Sequence, residues 1–107
     1  YGYRSPRPSL YKGGHKNPAY GASKAAVSNL TKYLAIHAPN FNINCIVPGG
    51  ISNKQSKSFK TMYAKDLPIA RMMEKNEISG LIKFLLSKDS AYCTGSEFFI
   101  DGGWNAR

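Results

Sequence analysis

The chain has 107 residues, 42% of them hydrophobic, with neither a low-complexity tract nor a repeat period, which is enough for one small globular domain. Its 15 lysines and arginines stand against 6 acidic residues. The basic residues are scattered, apart from Lys54, Lys57, Lys60 and Lys65 around one polar segment, and no nucleic-acid-binding motif accompanies them, so no nucleic-acid partner is expected. No apolar run approaches the ~20 residues that span a bilayer and no charged start leads into a hydrophobic stretch, so the expectation is a cytoplasmic protein without a membrane partner. Cys45 and Cys93 lack metal-ligand spacing and read as reduced, inert thiols. The chain begins at Tyr1 with a loop rather than at a methionine, which points to a piece of something longer.

Residues 1–16 carry two prolines and three glycines without apolar periodicity and read as a loop. Its tyrosines and basic residues fit the lining of a polar ligand site as well as they fit a surface excursion. His15 has no second ligand nearby, so no metal site is expected. Asn17 is a favoured N-cap and Pro18 suits the first helical position, where its missing N–H is no loss. A helix starts there, with Ala22, Ala26, Leu30, Tyr33 and Leu34 as its apolar stripe, until Pro39 and Asn40 end it.

Tyr20 and Lys24 stand four residues apart at the start of this helix, on one face. A neighbouring ammonium and the positive end of a helix both favour the ionised form of a phenol, so Tyr20 is a candidate proton acid or base. The spacing alone equally fits a packed aromatic beside a solvated lysine. The small Gly21, Ala22, Ala25 and Ala26 leave room for another backbone, a helix or a flat ligand.

Asn42 to Val47 is rich in β-branched residues and reads as a strand buried on both faces, stopped by Pro48-Gly49-Gly50. In open α/β sheets ligands bind at the carboxyl ends of strands, where Pro48 to Ile51 would sit. Residues 52–66 are polar and lysine-rich, with Phe59, Met62 and Tyr63 spaced as on a short helix, and fit a flap over a substrate site. Ile78, Leu81, Ile82, Leu85 and Leu86 then make the apolar stripe of a packing helix. A turn through Thr94-Gly95 leads into a second strand, Ser96 to Ile100, closed by Asp101-Gly102-Gly103-Trp104. The order helix, strand, flap, helix, strand implies that an earlier strand precedes the first helix and that apolar sheet surface stays uncovered without a further part or a partner.

Four features in this order resemble the C-terminal part of a classical short-chain dehydrogenase/reductase. Tyr20-Gly21-Ala22-Ser23-Lys24 matches that family's Tyr-x-x-x-Lys, and Asn42 to Gly49 matches its strand and Pro-Gly turn. The helix leading to Thr94-Gly95 and the closing Phe99-Ile100-Asp101-Gly102-Gly103 complete the match from Asn17 onward. The resemblance implies an α/β fold, the C-terminal part of a Rossmann-type doubly wound parallel sheet whose N-terminal half is absent, with residues 1–107 forming the catalytic and substrate-side portion of one domain. It implies transfer of a hydride between NAD or NADP and a carbonyl or alcohol. In it Tyr20 is the proton relay and Lys24 holds the nicotinamide ribose, while Pro48, Gly49 and the Ile51 backbone take the nicotinamide carboxamide side of the cofactor. The threonine common two residues further on is Asn53 here, and neither Ser5 nor Ser9 matches the family's catalytic serine. The family's glycine-rich phosphate loop, its catalytic serine and its asparagine belong to the N-terminal half, so this segment alone is expected to be inactive.

The long first loop is similar to that of members serving bacterial surface-polysaccharide or flagellar sugar biosynthesis, which implies a sugar or sugar-nucleotide substrate. The family also implies a homodimer or homotetramer that buries Ile78 to Leu86 and Phe98 to Ile100. A non-catalytic truncated module that assembles with a related partner and a basic nucleic-acid-binding module are the alternatives.

Overall fold

The structure is a computed structural model that describes residues 1–11 and 13–106. Helix α1, Pro18–His37, opens as its sequence predicts: Ala19 donates its N–H to Asn17 Oδ1 at 2.9 Å, and Pro18 stands in the first turn. It closes where Ala38 leaves helical geometry and donates its N–H to the Leu34 carbonyl, just before Pro39. Strands β1, Cys45–Pro48, and β2, Glu97–Ile100, pair in parallel with Cys45 opposite Glu97 and Pro48 opposite Ile100. Helices α2, Lys57–Ala64, and α3, Ser79–Leu85, lie in the crossover between them, as a parallel pair requires. Short 3-10 turns occupy Pro8–Leu10 and Lys88–Ser90. No helix among the described residues is long and apolar enough to cross a membrane.

β1 starts three residues later than its β-branched run suggests. Asn42, Ile43 and Asn44 hold the turn before β2 instead of joining the ladder. Asn44 donates from Nδ2 to the Cys93 carbonyl at 2.7 Å and accepts the Ser96 N–H at 3.1 Å. Ile43 donates its N–H to Thr94 Oγ1 at 3.1 Å, and its carbonyl accepts the Gly95 N–H at 2.7 Å. Pro48 ends the strand because it has no N–H to give. Gly49 carries the pairing one step further, donating to the Ile100 carbonyl at 3.0 Å. Ser96 stays outside β2 and contributes only its carbonyl, which accepts the Cys45 N–H at 2.9 Å.

Burial departs from the hydrophobic pattern in two places. β1 is half-buried rather than enclosed on both faces. On α1 the buried side chains are Ser28 and Thr31, whereas Leu30 and Tyr33 of the expected stripe are 53% and 56% exposed. The inner face accepts only small groups because backbone lies directly against it. A Cβ on Gly2 would stand 2.8 Å from the Ala25 nitrogen and from the Lys24 carbonyl carbon, so the first loop can cross α1 there only as glycine. The hydroxyls on that face are satisfied: Tyr3 donates to Ser28 Oγ at 2.7 Å, and Thr31 donates to the Val27 carbonyl at 2.9 Å.

The core lies at the carboxyl ends of the strands. Leu10, Tyr63, Leu67 and Met72 are buried together, with Tyr11, Phe59, Met62 and Trp104 packed around them. Tyr63 and Trp104 stack with ring centres 4.6 Å apart. Arg7 and Asp66 pair at 2.5 Å and tie the first loop to the end of α2. α2 is therefore a packed element, capped by Ser56, whose Oγ accepts the Phe59 N–H at 3.2 Å.

Candidate active site

A cavity of about 660 Å³ opens between the first turns of α1, the carboxyl end of β1 and the packed body around Tyr63. Tyr20, Lys24, Pro48, Gly49 and Ile51, the five residues singled out by sequence, all line it. Asn17 and Pro18 fix where α1 begins, which places Tyr20 in its first turn and Lys24 one turn further on. The Lys24 ammonium stands 5.6 Å from the centre of the Tyr20 ring. Tyr20 is 44% exposed, and among the described residues its hydroxyl makes no hydrogen bond.

The turn after β1 is held from two sides. Gly50 donates its N–H to the Tyr63 hydroxyl at 2.7 Å, and a Cβ on Gly50 would fall 2.6 Å from that ring, so the approach requires glycine. Met73 donates its N–H to the Gly50 carbonyl at 3.0 Å and accepts the Ser52 N–H at 2.8 Å, which leaves the polar groups of Ile51 free of this bridge. The Ile51 carbonyl accepts from Gln55 Nε2 at 3.0 Å, while Gln55 Oε1 accepts the Asn53 N–H at 2.7 Å. Among the described residues the Ile51 N–H has no partner. Ile51 thus presents a donor and an acceptor side by side, and a carboxamide, that of Gln55, already occupies the acceptor.

Tyrosines of the first loop form the opposite wall. Tyr1 and Tyr11 share a hydrogen bond between their hydroxyls, and burial, followed by that bond, pushes the Tyr1 phenol above its ordinary range. Burial also raises Tyr63, against the opposing effect of the Gly50 N–H bonded to its oxygen. Lys16, just before the helix cap, places its ammonium 4.4 Å from the Tyr20 ring centre. The Asp101 carboxylate closes the tail: Oδ1 accepts the Gly103 N–H at 2.9 Å, and Oδ2 accepts from the Asn105 N–H at 3.0 Å and from Asn105 Nδ2 at 2.9 Å.

The sequence pointed to the first loop only as a class of residues and to Asp101 and Trp104 only as the closing turn after the second strand, and it passed over Gln55 as a site residue. Asp101-Gly102-Gly103 did carry a signal, an aspartate poised to accept from the backbone two residues on. Gln55 carried none, since its role depends on how the turn after β1 closes. A smaller cavity of about 200 Å³ shares Gly49, Gly50 and Asp101 with the larger one, but neither Tyr20 nor Lys24 reaches it. At its edge Arg71 donates to both oxygens of Glu77 at 2.7 and 2.6 Å, and these bonds, with that from the Glu74 N–H, hold the Glu77 carboxyl at about 2. Among the described residues no group of three His, Cys, Asp or Glu is arranged to hold a metal.

Residues 9–105 match the family model described as enoyl-(acyl carrier protein) reductase. The chain is 36% identical over 105 residues to 2-dehydro-3-deoxy-D-gluconate 5-dehydrogenase of Bacillus subtilis, an alignment that covers 91% of this chain and 41% of the relative. Among solved structures it resembles a short chain dehydrogenase from Leptospira borgpetersenii with bound NAD+, at 40% identity and a TM-score of 0.77, covering 79% of this chain and 34% of that one. It also resembles 4-hydroxyisoleucine dehydrogenase complexed with NADH, at 33% identity and a TM-score of 0.78, covering 84% and 40%. The chain spans about two-fifths of the length of the curated relatives it matches.

Proposed function

The chain belongs to the short-chain dehydrogenase/reductase family, and we propose that it forms the catalytic and substrate-side portion of an NAD(P)-dependent oxidoreductase acting on a carbonyl or alcohol. The observation that carries this reading is the convergence of Tyr20, Lys24, Pro48, Gly49 and Ile51 on one cavity at the carboxyl end of a parallel strand. Relatives named as dehydrogenases, and solved relatives holding NADH or NAD+, support it.

In this reading Tyr20 gives its hydroxyl proton to the alkoxide that forms on reduction, or takes the proton from the alcohol on oxidation. Lys24 supplies positive charge beside the oxygen from which that proton leaves and is placed to hold a ribose hydroxyl. Pro48 and Gly49 set the close backbone approach, and Ile51 offers its N–H and carbonyl to a carboxamide. Gln55 Nε2 on the Ile51 carbonyl supports the fit, because it shows that this oxygen is aimed to accept from an amide. When bound, a nicotinamide cofactor, NAD or NADP, supplies or takes up the hydride.

The polar first loop supports a sugar or sugar-nucleotide substrate of the surface-polysaccharide or flagellar type. Residues 52–66 serve as the substrate flap, since Gln55, Phe59 and Tyr63 line the cavity. A homodimer or homotetramer is supported by apolar side chains left in water at the end of α3 and on β2, among them Leu86, 84% exposed, at the C-cap of α3, and Phe99, 46% exposed, on β2. The same surfaces favour a second reading, a non-catalytic module that assembles with a related partner. Such a module would form the complex and turn over nothing.

The test is NAD(P)H oxidation by the full-length protein against carbonyl substrates, with Tyr20→Phe as the variant. Removing one hydroxyl should lower kcat by roughly 10²–10⁴-fold while thermal unfolding stays in place. Full activity in Tyr20→Phe would refute the proton relay.

A further inference from the structure

We propose that the cavity binds an anionic group of its substrate, a carboxylate or a phosphate, at Lys16 and Arg4. The ligand class is that of an acidic carbonyl or alcohol whose reacting oxygen lies at Tyr20, so the inference deepens the oxidoreductase reading and rests on it for that orientation. The Lys16 ammonium stands 4.4, 5.0 and 5.4 Å from the ring centres of Tyr20, Tyr1 and Tyr11. Three aromatic faces thus hold one cation in a defined place at the wall of the cavity.

No carboxylate among the described residues neutralises it. The ion pairs are Arg7 with Asp66, Lys32 with Glu97, and Arg71 with Glu77. Arg4 and Lys24 line the same cavity and also have no acidic partner among the described residues. Asp101 is the acidic residue of that lining, and both its oxygens are engaged by Gly103 and Asn105. Three cations, Lys16, Arg4 and Lys24, therefore face the cavity against one carboxylate charge among the described residues, that of Asp101, which its neutral N–H donors hold at the tail without cancelling, and walls of low dielectric concentrate the net positive potential inside. A ring face attracts an ammonium without discharging it, so Lys16 keeps its full charge for a ligand. With Lys24 assigned to the cofactor side, Lys16 and Arg4 remain for the substrate, and the rings of Tyr1 and Tyr11 flank the ligand's carbon frame.

The experiment titrates the full-length protein with malonate, with inorganic phosphate and with neutral glycerol by calorimetry at low ionic strength. At least one anion should bind and glycerol should not, and the tighter anion identifies carboxylate or phosphate as the preferred group. Lys16→Gln should weaken that binding tenfold or more, whereas Lys16→Arg should keep it within about threefold. Binding should persist in saturating NAD+. Displacement by NAD+ would assign the cations to cofactor phosphates and overturn the proposal. So would the absence of binding by either anion, or unchanged binding in a Lys16→Gln, Arg4→Gln double variant. The titration needs no turnover. A protein that reduces a neutral carbonyl but binds neither anion fails only this inference, and one that binds an anion without any turnover fails only the oxidoreductase reading.

Discussion

The first loop, α2 with the connector after it, and the tail after β2 make one body, and α1, α3 and the two-stranded sheet make another, and the two use apolar residues differently. In the first body, short and irregular segments supply the buried cluster: Leu10, Tyr63, Leu67 and Met72 are each at most 6% exposed, although Tyr3 and Ile69 of the same segments stand 43% and 59% exposed. In the second, regular elements leave apolar side chains in water, with Leu30 at 53% and Ile36 at 76% on α1 and Phe99 at 46% on β2. Regular structure and core are thus not the same part of this chain. The site sits where they meet, with Tyr20 and Lys24 contributed by the regular body and Lys16, Tyr11 and Tyr63 by the packed one or its edge.

The comparison breaks most readily at Leu67. It lies in the connector after α2, outside any helix or strand, yet it belongs to the buried cluster with Tyr63 and Met72. Leu67→Ala should lower the stability of the 107-residue chain by about 3 kcal/mol in urea unfolding, the loss of a core leucine and the cavity left behind. A loss below about 1 kcal/mol, the scale of a surface substitution, would mean that the irregular body is not the core.

A second test sharpens the same contrast on the inner face of α1. Ser28 is 8% exposed and accepts the Tyr3 hydroxyl proton at 2.7 Å, so the face is closed by small, satisfied polar groups. Ser28→Leu would improve the helix as a hydrophobic stripe and still destabilise the chain, by about 2 kcal/mol, because the added methylenes meet the Tyr3 side chain, whose hydroxyl loses its acceptor. Stabilisation by this substitution would show that the face has room, and that packing there is looser than the Gly2 crossing implies.

Much of the site was legible because it rests on local chemistry. Asn17 and Pro18 fix the register of α1, and with it the pairing of Tyr20 and Lys24. Pro48 has no N–H for the ladder and therefore marks the end of β1 beside the cavity. The parallel order was implied by the family resemblance, and the crossover containing helices accounts for it. What was not legible depends on contacts distant in sequence. Trp104 stacks on Tyr63, 41 positions apart by their numbers, with nothing nearby to announce it. Asn42 and Asn44 look like the start of a strand until the 91–96 turn takes their hydrogen bonds. Lys16 lies outside every periodic segment, and only the folding back of Tyr1 and Tyr11 around it makes it part of the cavity.

The smallest expected effect is the most telling for α1. Periodicity groups Leu30 with Ala22, Ala26, Tyr33 and Leu34, and by that grouping Leu30 is a core residue whose replacement by serine should remove roughly 3 kcal/mol. The fold places it 53% exposed, on the face turned away from β1. Leu30→Ser in the same chain should therefore cost only about 0.5 kcal/mol, the difference in helix propensity with little burial to lose. Helical periodicity reports which residues share a face, whereas burial also requires another surface against that face. For α1 the surface within this chain lies on the Ser28 and Thr31 side, where Gly2 and β1 approach. A measured loss near 3 kcal/mol, as for a core leucine, would place a covering surface on the Leu30 side and dissolve the contrast between the two bodies. A loss near 0.5 kcal/mol, as for an exposed helix position, would leave the stripe as apolar surface available to a partner subunit.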